Sequence, residues 1–158
     1  MKNKSFWLAA GLCVLAVTGM LLALTLGRRQ VQQPFTPPPF DPAACTGTPV
    51  VPPELDWQEL DAKAYQVGIC GVIVPNGNQV DVWLSNPEGN DVWMKVRILD
   101  KFGDILGESG LIQPGEYVQS VQLQSIPESG QEIQLKIMAY EPETYHSGGA
   151  ITMNTRIS

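Results

Sequence analysis

Residues 79–99 read QVDVWLSNPEGNDVWMKVRIL, two alternating apolar and polar runs separated by an Asn-Pro-Glu-Gly-Asn turn sequence. Alternation with a period of two is typical of β-strands that bury one face. A three-residue loop with Gly89 in the left-handed conformation predicts a hairpin in which Trp83 faces Trp93. The alternative is that this connection crosses between the two sheets of a sandwich. The apolar face of the hairpin would comprise Val80, Val82, Leu84, Val92, Met94 and Val96.

The same pattern continues on both sides of this stretch. Short β-patterned runs alternate with turn signals at intervals of about 8–12 residues, which is typical of a β-sandwich. Seven strands are predicted, at residues 65–74, 79–85, 91–99, 105–107, 117–123, 132–140 and 150–157. Residues 54–61 (ELDWQELD) indicate one helical turn before them. The sequence thus predicts an all-β, seven-stranded sandwich domain over residues 64–158.

The order of turn motifs is similar to that of a known group of proteins. The motifs are Asn86-Pro87-Glu88-Gly89-Asn90, then Asp100 and Gly103, then Ser109-Gly110-Leu111-Ile112, then Pro114-Gly115. Together they resemble small, largely uncharacterised membrane-anchored proteins of Gram-positive bacteria, over about residues 65–157. The resemblance implies an immunoglobulin-like or fibronectin-like sandwich held at the cell membrane. It transfers no functional residues, because sandwiches serve many purposes.

An uncharged run of 23 residues, 5–27, predicts a transmembrane helix near the N-terminus. At about 1.5 Å per residue, such a helix crosses a hydrocarbon core of about 30 Å. A cleaved signal peptide would have a shorter apolar region and a better cleavage site than Thr25-Leu26-Gly27. Cys13 follows Leu12 rather than a small residue, which argues against a lipoprotein signal. We therefore expect residues 1–29 to be an uncleaved signal-anchor.

The flanking charges leave the orientation open, because Lys2 and Lys4 are balanced by Arg28 and Arg29. A short N-terminal tail with two lysines is more easily retained than translocated. The β-rich domain also has the character of exported cargo. We expect a single-pass protein of the cell membrane with its C-terminal domain outside the cytoplasm.

Residues 30–63 are predicted to tether the domain to the anchor. Eight of the thirteen prolines lie between Pro34 and Pro53. Such a segment favours the extended polyproline II conformation and acts as a semi-rigid spacer. The domain would therefore be held near the membrane.

Charge is distributed unevenly along the chain. Residues 1–29 hold four of the ten basic residues and none of the sixteen acidic ones. From Gln30 onward, six basic residues stand against sixteen acidic ones, which gives a formal net charge of −10. Because phosphate backbones would be repelled by this charge, nucleic acid is not an expected partner.

The sequence has few features that indicate chemistry. His146 is the single histidine and lies beside Ser147, but no catalytic motif accompanies it, so a solvated loop residue is the favoured interpretation. One histidine and no CxxC pair exclude the usual zinc sites. Two loop sets could offer oxygen ligands to calcium, although such residues usually form turns. These sets are Asn76, Asn78 and Asp81, and Glu88, Asn90 and Asp91. We predict no catalytic residue, no metal and no cofactor.

Two residue pairs are candidate features of the domain. Trp83 and Trp93, paired on an exposed strand face, would form an aromatic patch suited to protein or sugar contact. The alternative is that the pair lies on the core side or only stabilises the hairpin. Cys45 and Cys70 could form a disulfide that fixes the end of the tether to the first strand. The alternative is a small core residue at Cys70 and a free thiol at Cys45.

These observations favour a non-enzymatic, extracytoplasmic interaction or structural module, with an unidentified protein as partner and a cell-envelope assembly as its setting. A carbohydrate- or calcium-binding surface module is the alternative. A hydrolase that uses His146 would need that side chain within hydrogen-bond reach of a serine and a carboxylate.

Overall fold

The computed structural model of the protein describes residues 35–158. The predicted transmembrane segment at residues 5–27, and all of the predicted anchor 1–29, lie outside the described residues. Within residues 35–158, no helix has the length and apolar character needed to cross a membrane.

Within residues 35–158, ten β-strands form two antiparallel sheets. The strands are β1 (Cys45–Thr46), β2 (Trp57–Ala62), β3 (Tyr65–Cys70), β4 (Val74–Asn76), β5 (Gln79–Asn86), β6 (Trp93–Asp100), β7 (Ile105–Glu108), β8 (Glu116–Gln122), β9 (Glu132–Tyr140) and β10 (Ser147–Arg156). The first sheet has the order β1-β8-β5-β3-β2, with β4 paired to β5, and the second has the order β10-β9-β6-β7. The all-β prediction is confirmed for the part of the chain that the structure describes.

The two sheets share one apolar core. Alternate side chains of β5, β6 and β9 are buried in it, as the sequence pattern predicts. These residues are Val80, Val82, Leu84, Met94, Val96, Ile98, Ile133, Leu135, Ile137 and Ala139. Each fully buried Val, Leu or Ile contributes about 1.5–3 kcal/mol relative to exposure, so this core is the main source of stability. The intervening residues of the same strands face the opposite side of each sheet.

The predicted hairpin between residues 79–85 and 91–99 is wrong, because β5 and β6 belong to different sheets. β5 pairs with β8, β3 and β4, whereas β6 pairs with β9 and β7. Asn86 stabilises the crossing, since its buried Nδ2 donates to the carbonyl oxygens of Val92 at 2.8 Å and Ile112 at 3.2 Å. The alternative connection between the sheets is the one observed, and both apolar faces point into the shared core.

The predicted count of seven strands is also wrong, because the structure contains ten. Every predicted segment contains a strand, and β1, β2 and β4 are additional. Two of these lack a strand signal: β1 has only two residues, and β4 contains Pro75. The sequence of β2 suggested a helix, but the helical part is a 3-10 turn at Pro53–Leu55 that ends where Asp56 adopts a φ of 50°.

The C-terminal part of the predicted tether, residues 30–63, pairs with the sandwich. β1 and β2 lie within this range and join the first sheet through β8 and β3. The backbone N–H of Asp41 donates to the Leu111 carbonyl at 2.8 Å. Gly110 permits this approach, because a Cβ at that position would lie 2.5 Å from the Asp41 backbone. Strand pairing therefore begins before residue 64.

Candidate functional site

Among the described residues, basic side chains are concentrated on the solvent side of the second sheet. We call this side the outer face. It comprises the odd-numbered residues 93–99 of β6, the even-numbered residues 132–140 of β9 and 150–156 of β10, and Glu108 of β7. The strand registers place Arg97 opposite Lys136, and Lys136 opposite Thr152. Side chains that are opposite each other in this way lie on one face of a sheet and interact directly.

Basic side chains are concentrated on the outer face. Four of the six basic residues that follow Gln30 lie on it: Lys95, Arg97, Lys136 and Arg156. Its carboxylates are Glu108 and Glu132, so the outer face has a formal charge of +2. The chain from Gln30 onward has a formal charge of −10. A positive surface on an acidic domain favours approach by an anionic partner.

Glu108 forms ion pairs with two of the basic residues of the outer face. Its carboxylate lies 3.0 Å from Lys95 Nζ and 2.9 Å from Arg97 Nη2. The Lys95 side chain is only 5% exposed, so its charge depends on this partner. Burial acts to raise the pKa of Glu108, but hydrogen bonds from Lys95 and Arg97, together with their positive charges, outweigh it and leave the pKa below its ordinary value.

Lys136 is the cation on the outer face that lacks such a partner. Its direct neighbours across the strands are Arg97 on one side and Thr152 on the other. Like charges that face each other on neighbouring strands destabilise a sheet. Arg97 is paired with Glu108, which it shares with Lys95, but Lys136 has no carboxylate within 4.0 Å among residues 35–158. The half-buried Lys136 ammonium therefore remains available to an external anion.

Trp93 lies at the opposite end of the outer face and contacts two rings of its own chain. Its ring centroid is 4.8 Å from that of Phe40 and 5.4 Å from that of Tyr145, in edge-on arrangements at 75° and 61°. Such aromatic pairs contribute about 0.5–1.5 kcal/mol beyond their buried area. Trp93 thus fastens the segment around Phe40 and the loop before β10 to the sheet.

Trp83 belongs to the first sheet, so the structure does not bring it together with Trp93. Its φ of 47° coincides with an irregularity in the pairing of β5 with β8. The indole stacks on Tyr117 with centroids 6.1 Å apart. The Trp83 carbonyl accepts a hydrogen bond from Trp57 Nε1 at 3.1 Å. The indole N–H of Trp83 is buried and has no hydrogen-bond partner among the described residues.

The edges of the two sheets differ in how well they are protected against pairing with another chain. β1 has two residues, and β7 has four and bridges to the first sheet between Gly107 and Leu123. β2 carries the exposed carboxylates Glu59 and Asp61. β10 has ten residues, and its positions 147–155 (SGGAITMNT) carry no charge. Within residues 35–158, β10 is therefore the longest edge strand, and Ile73 covers its outer edge only at the C-terminal end, by a bridge to Ile157.

A groove of about 590 Å³ lies beside the turn between β6 and β7, at one end of the outer face. It is lined by Asp100, Lys101, Phe102, Gly103, Glu132, Ile133, Gln134, Asn154, Thr155 and Arg156. The Phe102 ring is 79% exposed, and Lys101 Nζ lies 5.0 Å from its centroid. The groove extends the outer face by one further cation and one exposed aromatic ring.

Cys45 and Cys70 are both free thiols, the first exposed and the second buried. They lie on β1 and β3, which are three strand positions apart in the first sheet. Three spacings amount to about 14 Å, whereas a disulfide requires Cα atoms within about 7 Å. Burial, with smaller contributions from Asp81 and Asp56, raises the pKa of the Cys70 thiol to about 12.

His146 lies in the loop before β10, and its side chain is 79% exposed. Its Nδ1 is 3.6 Å from the Glu141 carboxylate, which also accepts a hydrogen bond from the Thr144 hydroxyl at 3.1 Å. The Ser147 hydroxyl accepts a hydrogen bond from the backbone N–H of Gly149. These contacts join polar residues of the same loop to one another and so stabilise its conformation.

Two of the six candidate calcium ligands, Asn90 and Asp81, have side-chain partners within the chain. The Asn90 side-chain amide pairs with both backbone groups of Gln66, at 2.6 and 2.9 Å, and fastens its loop to β3. Asp81 accepts a hydrogen bond from the Ser120 hydroxyl at 2.6 Å. Among residues 35–158, no group of three or more His, Cys, Asp or Glu side chains is placed to hold a metal ion.

The sequence singled out Trp93, but it did not point to the basic residues Lys95, Arg97 and Lys136 on the same face or to the edge of β10. Lys95 and Arg97 alternate visibly with apolar residues along β6. The position of Lys136 opposite Arg97 depends on the pairing of β6 with β9, which no local signal specifies. If the pairing of β6 with β9 had been predicted correctly, the position of Lys136 next to Arg97 would have followed from it.

Comparison with protein-family models, curated proteins and solved structures finds no match to this chain. The outer face must therefore be interpreted from its own chemistry.

Proposed function

We propose that this chain is a non-enzymatic, single-pass membrane protein whose β-sandwich domain lies outside the cytoplasm and binds a partner protein through the outer face. Its role would be that of an interaction or structural subunit in a cell-envelope assembly. The observation that carries the proposal is the concentration of Lys95, Arg97, Lys136 and Arg156 on one sheet face of a strongly acidic region. Charge complementarity of this kind sets which partner binds and in which orientation.

We assign the domain to the immunoglobulin-like sandwiches. The order of the strands in space supports this assignment. The sequence β10-β9-β6-β7 corresponds to strands G-F-C-C′ of such a sandwich, and β3-β5-β8 corresponds to A-B-E. β1 would take the place of strand D beside β8. The N-terminal segment thus completes the first sheet at the position where a later strand is usual.

The predicted transmembrane run at residues 5–27 supports the location. The resemblance to membrane-anchored proteins of Gram-positive bacteria points in the same direction. Paired residues begin near Asp41, so the free part of the predicted tether is shorter than residues 30–63. The proposed partner would therefore meet the domain close to the membrane.

A carbohydrate polymer is the second candidate ligand. The observation that favours it is the exposed Phe102 ring in the groove beside Arg156 and Gln134. Aromatic rings with adjacent polar groups are suited to sugar contact. Under this alternative, Phe102→Ala would abolish retention of the chain on cell-wall polysaccharide. Under the protein-binding proposal, the same substitution would leave protein cross-links from the outer face in place.

Site-specific photo-cross-linking in intact cells tests the proposal. A photoreactive amino acid replaces Gln134 on the outer face of the full chain, or Gln119, an exposed residue of β8 in the first sheet, as the matched control. We expect a cross-linked species of discrete mass from position 134 and not from position 119. Equal yields from both positions, or none from position 134, would contradict the proposal.

A further inference from the structure

We propose that the free edge of β10 binds an extended, acidic segment of a partner protein, which adds a fifth strand to the second sheet and places a carboxylate beside Lys136. This inference rests on the proposed function, because it names the kind of partner that the outer face would bind. Strand addition at an exposed edge is a common mode of peptide recognition, in which main-chain hydrogen bonds provide affinity and side chains provide selectivity.

The backbone of β10 offers a template for an added strand. β9 covers one of its edges. At the C-terminal end of the other edge, Ile73 bridges to Ile157 and the Thr155 hydroxyl donates to the Gly71 carbonyl at 2.6 Å. Among residues 35–158, no strand pairs with this second edge from Ala150 to Asn154. The irregularity in the pairing with β9 is confined to Ser147 and Gly149, so the register from Ala150 to Arg156 is continuous. A continuous run of unpaired N–H and C=O groups is the template that an extended peptide requires.

The unpaired charge of Lys136 indicates that the peptide is acidic. Lys136 has no carboxylate partner among the described residues, and Arg97 across the strand is already paired with Glu108. On the other side of Lys136, Thr152 supplies no charge. The nearest position from which an anion could neutralise Lys136 is therefore the strand that would pair with β10.

The Lys136 side chain is long enough to meet a carboxylate on the added strand. A residue on an added strand opposite Thr152 would lie two strand spacings, or about 10 Å, from Lys136. The β10 residues of the outer face that intervene are small: Ala150, Thr152 and Asn154 are all exposed. The Lys136 side chain has a flexible four-carbon stem, and a glutamate of the added strand can extend to meet it over Thr152.

A second copy of this chain fits the same edge less well. Two antiparallel β10 strands would bring together residues 147–155 of both copies, which contain no carboxylate. Lys136 of each copy would remain without a partner. An acidic segment of another protein would both pair with the edge of β10 and place a carboxylate beside Lys136.

The test uses the full chain in detergent and synthetic extended peptides of about ten residues, the length of β10. Thr and Glu alternate in the first peptide, and Gln or Lys replaces every Glu in the two matched peptides. Fluorescence anisotropy measures the affinity of each. We expect the Glu peptide to bind best and the Lys peptide worst, with an affinity that falls as salt is added.

Lys136→Gln should weaken binding of the Glu peptide about fivefold, the effect of one partly exposed ion pair. The matched control is Lys63→Gln, which removes the same charge from an exposed position between β2 and β3. We expect that control to retain the affinity of the unmodified chain.

A second variant separates binding from folding. Thr152→Asp would supply the missing carboxylate from within the chain and place a charge on the edge strand. We expect it to raise the denaturation midpoint while it weakens binding of the Glu peptide, whereas a variant that merely damages the fold would lower both. Gln119→Asp adds the same charge to the first sheet and should leave peptide binding unchanged.

Three results would overturn this inference: no binding of any peptide, equal binding of the Glu and Gln peptides, or unchanged affinity after Lys136→Gln. A dimer of the chain that Thr152→Asp disrupts and the Glu peptide does not would assign the edge to a second copy instead. If the cross-link from position 134 forms but the peptides fail, the proposed function stands and only this inference falls.

Discussion

Glu108 holds two cations on the outer face, one of which is buried, so its loss should destabilise the domain. In Glu108→Gln, the Lys95 ammonium would remain 5% exposed without an anion. We expect the free energy of unfolding to fall by about 3 kcal/mol, the cost of leaving a buried charge unpaired. Chemical denaturation of the full chain measures this change.

The matched control is Glu132→Gln, which breaks the ion pair with Arg156. Both side chains of this pair are exposed, Arg156 by 68% and Glu132 by 66%. Such surface pairs contribute less than about 1 kcal/mol. Equal losses in the two variants would show that Lys95 does not depend on Glu108.

The same carboxylate predicts how stability changes with acidity. The pKa of Glu108 in the folded protein lies below its ordinary value of 4.5. A depressed folded pKa means that the stabilisation is fully present above the ordinary pKa and is lost as the pH falls through the lowered value. Denaturation midpoints measured from neutral to acidic pH should therefore decline more steeply for the unmodified chain than for Glu108→Gln. Parallel pH profiles would contradict this assignment.

At the level of elements, Gly110 decides whether the segment around Asp41 can pair with the sandwich. A Cβ at position 110 would lie 2.5 Å from the Asp41 backbone, so Gly110→Ala must displace that segment. Phe40 would then leave Trp93, and amide hydrogen exchange should accelerate at residues 40–46 while the core strands stay protected.

Gly89→Ala is the control, because nothing lies within 4 Å of the position that its Cβ would take. We expect exchange at residues 40–46 to be unchanged in that variant. Similar exchange in Gly110→Ala and Gly89→Ala would show that the contact at Gly110 does not hold the segment in place.

The sequence was sufficient to predict seven of the ten strands of residues 35–158, but it missed β1, β2 and β4 and did not show how the strands pair. Alternation along 79–85 and 91–99 identifies the buried faces correctly, because burial of one strand face depends on local pattern. The same loop is compatible with a hairpin and with a crossing between sheets, and the choice depends on the distant partners β8 and β9. Buried hydrogen bonds from Asn86 to Val92 and Ile112 stabilise the crossing.

The same limit explains what could be predicted of the site. Trp93 was singled out because its residue type alone suggests a contact surface, but the two rings that it contacts belong to its own chain. Lys136 was missed because its significance lies in its neighbours, Arg97 and Thr152, which are distant in sequence. The free edge of β10 likewise exists only in relation to the other strands of its sheet.

The whole molecule combines a predicted anchor, an acidic sandwich and one positively charged face next to the edge of β10. Cysteine chemistry can test the location and the contact surface together. Cys70 is buried and the pKa of its thiol is raised to about 12, so it should not react while the domain is folded. Cys13→Ala and Cys45→Ser then leave a background in which one introduced cysteine reports on its surroundings.

The most direct measurement compares Ser129→Cys with Thr152→Cys in that background, using a membrane-impermeant maleimide on intact cells and on the purified chain. Position 129 is an exposed residue of the turn before β9, outside the strands, and position 152 lies on the outer face in the edge strand β10. We predict that position 129 is labelled without lysis, and that position 152 is labelled more slowly than 129 on cells but equally fast after purification. Labelling of position 129 only after lysis, or equal rates at both positions on cells, would contradict an extracytoplasmic domain that binds its partner through the outer face.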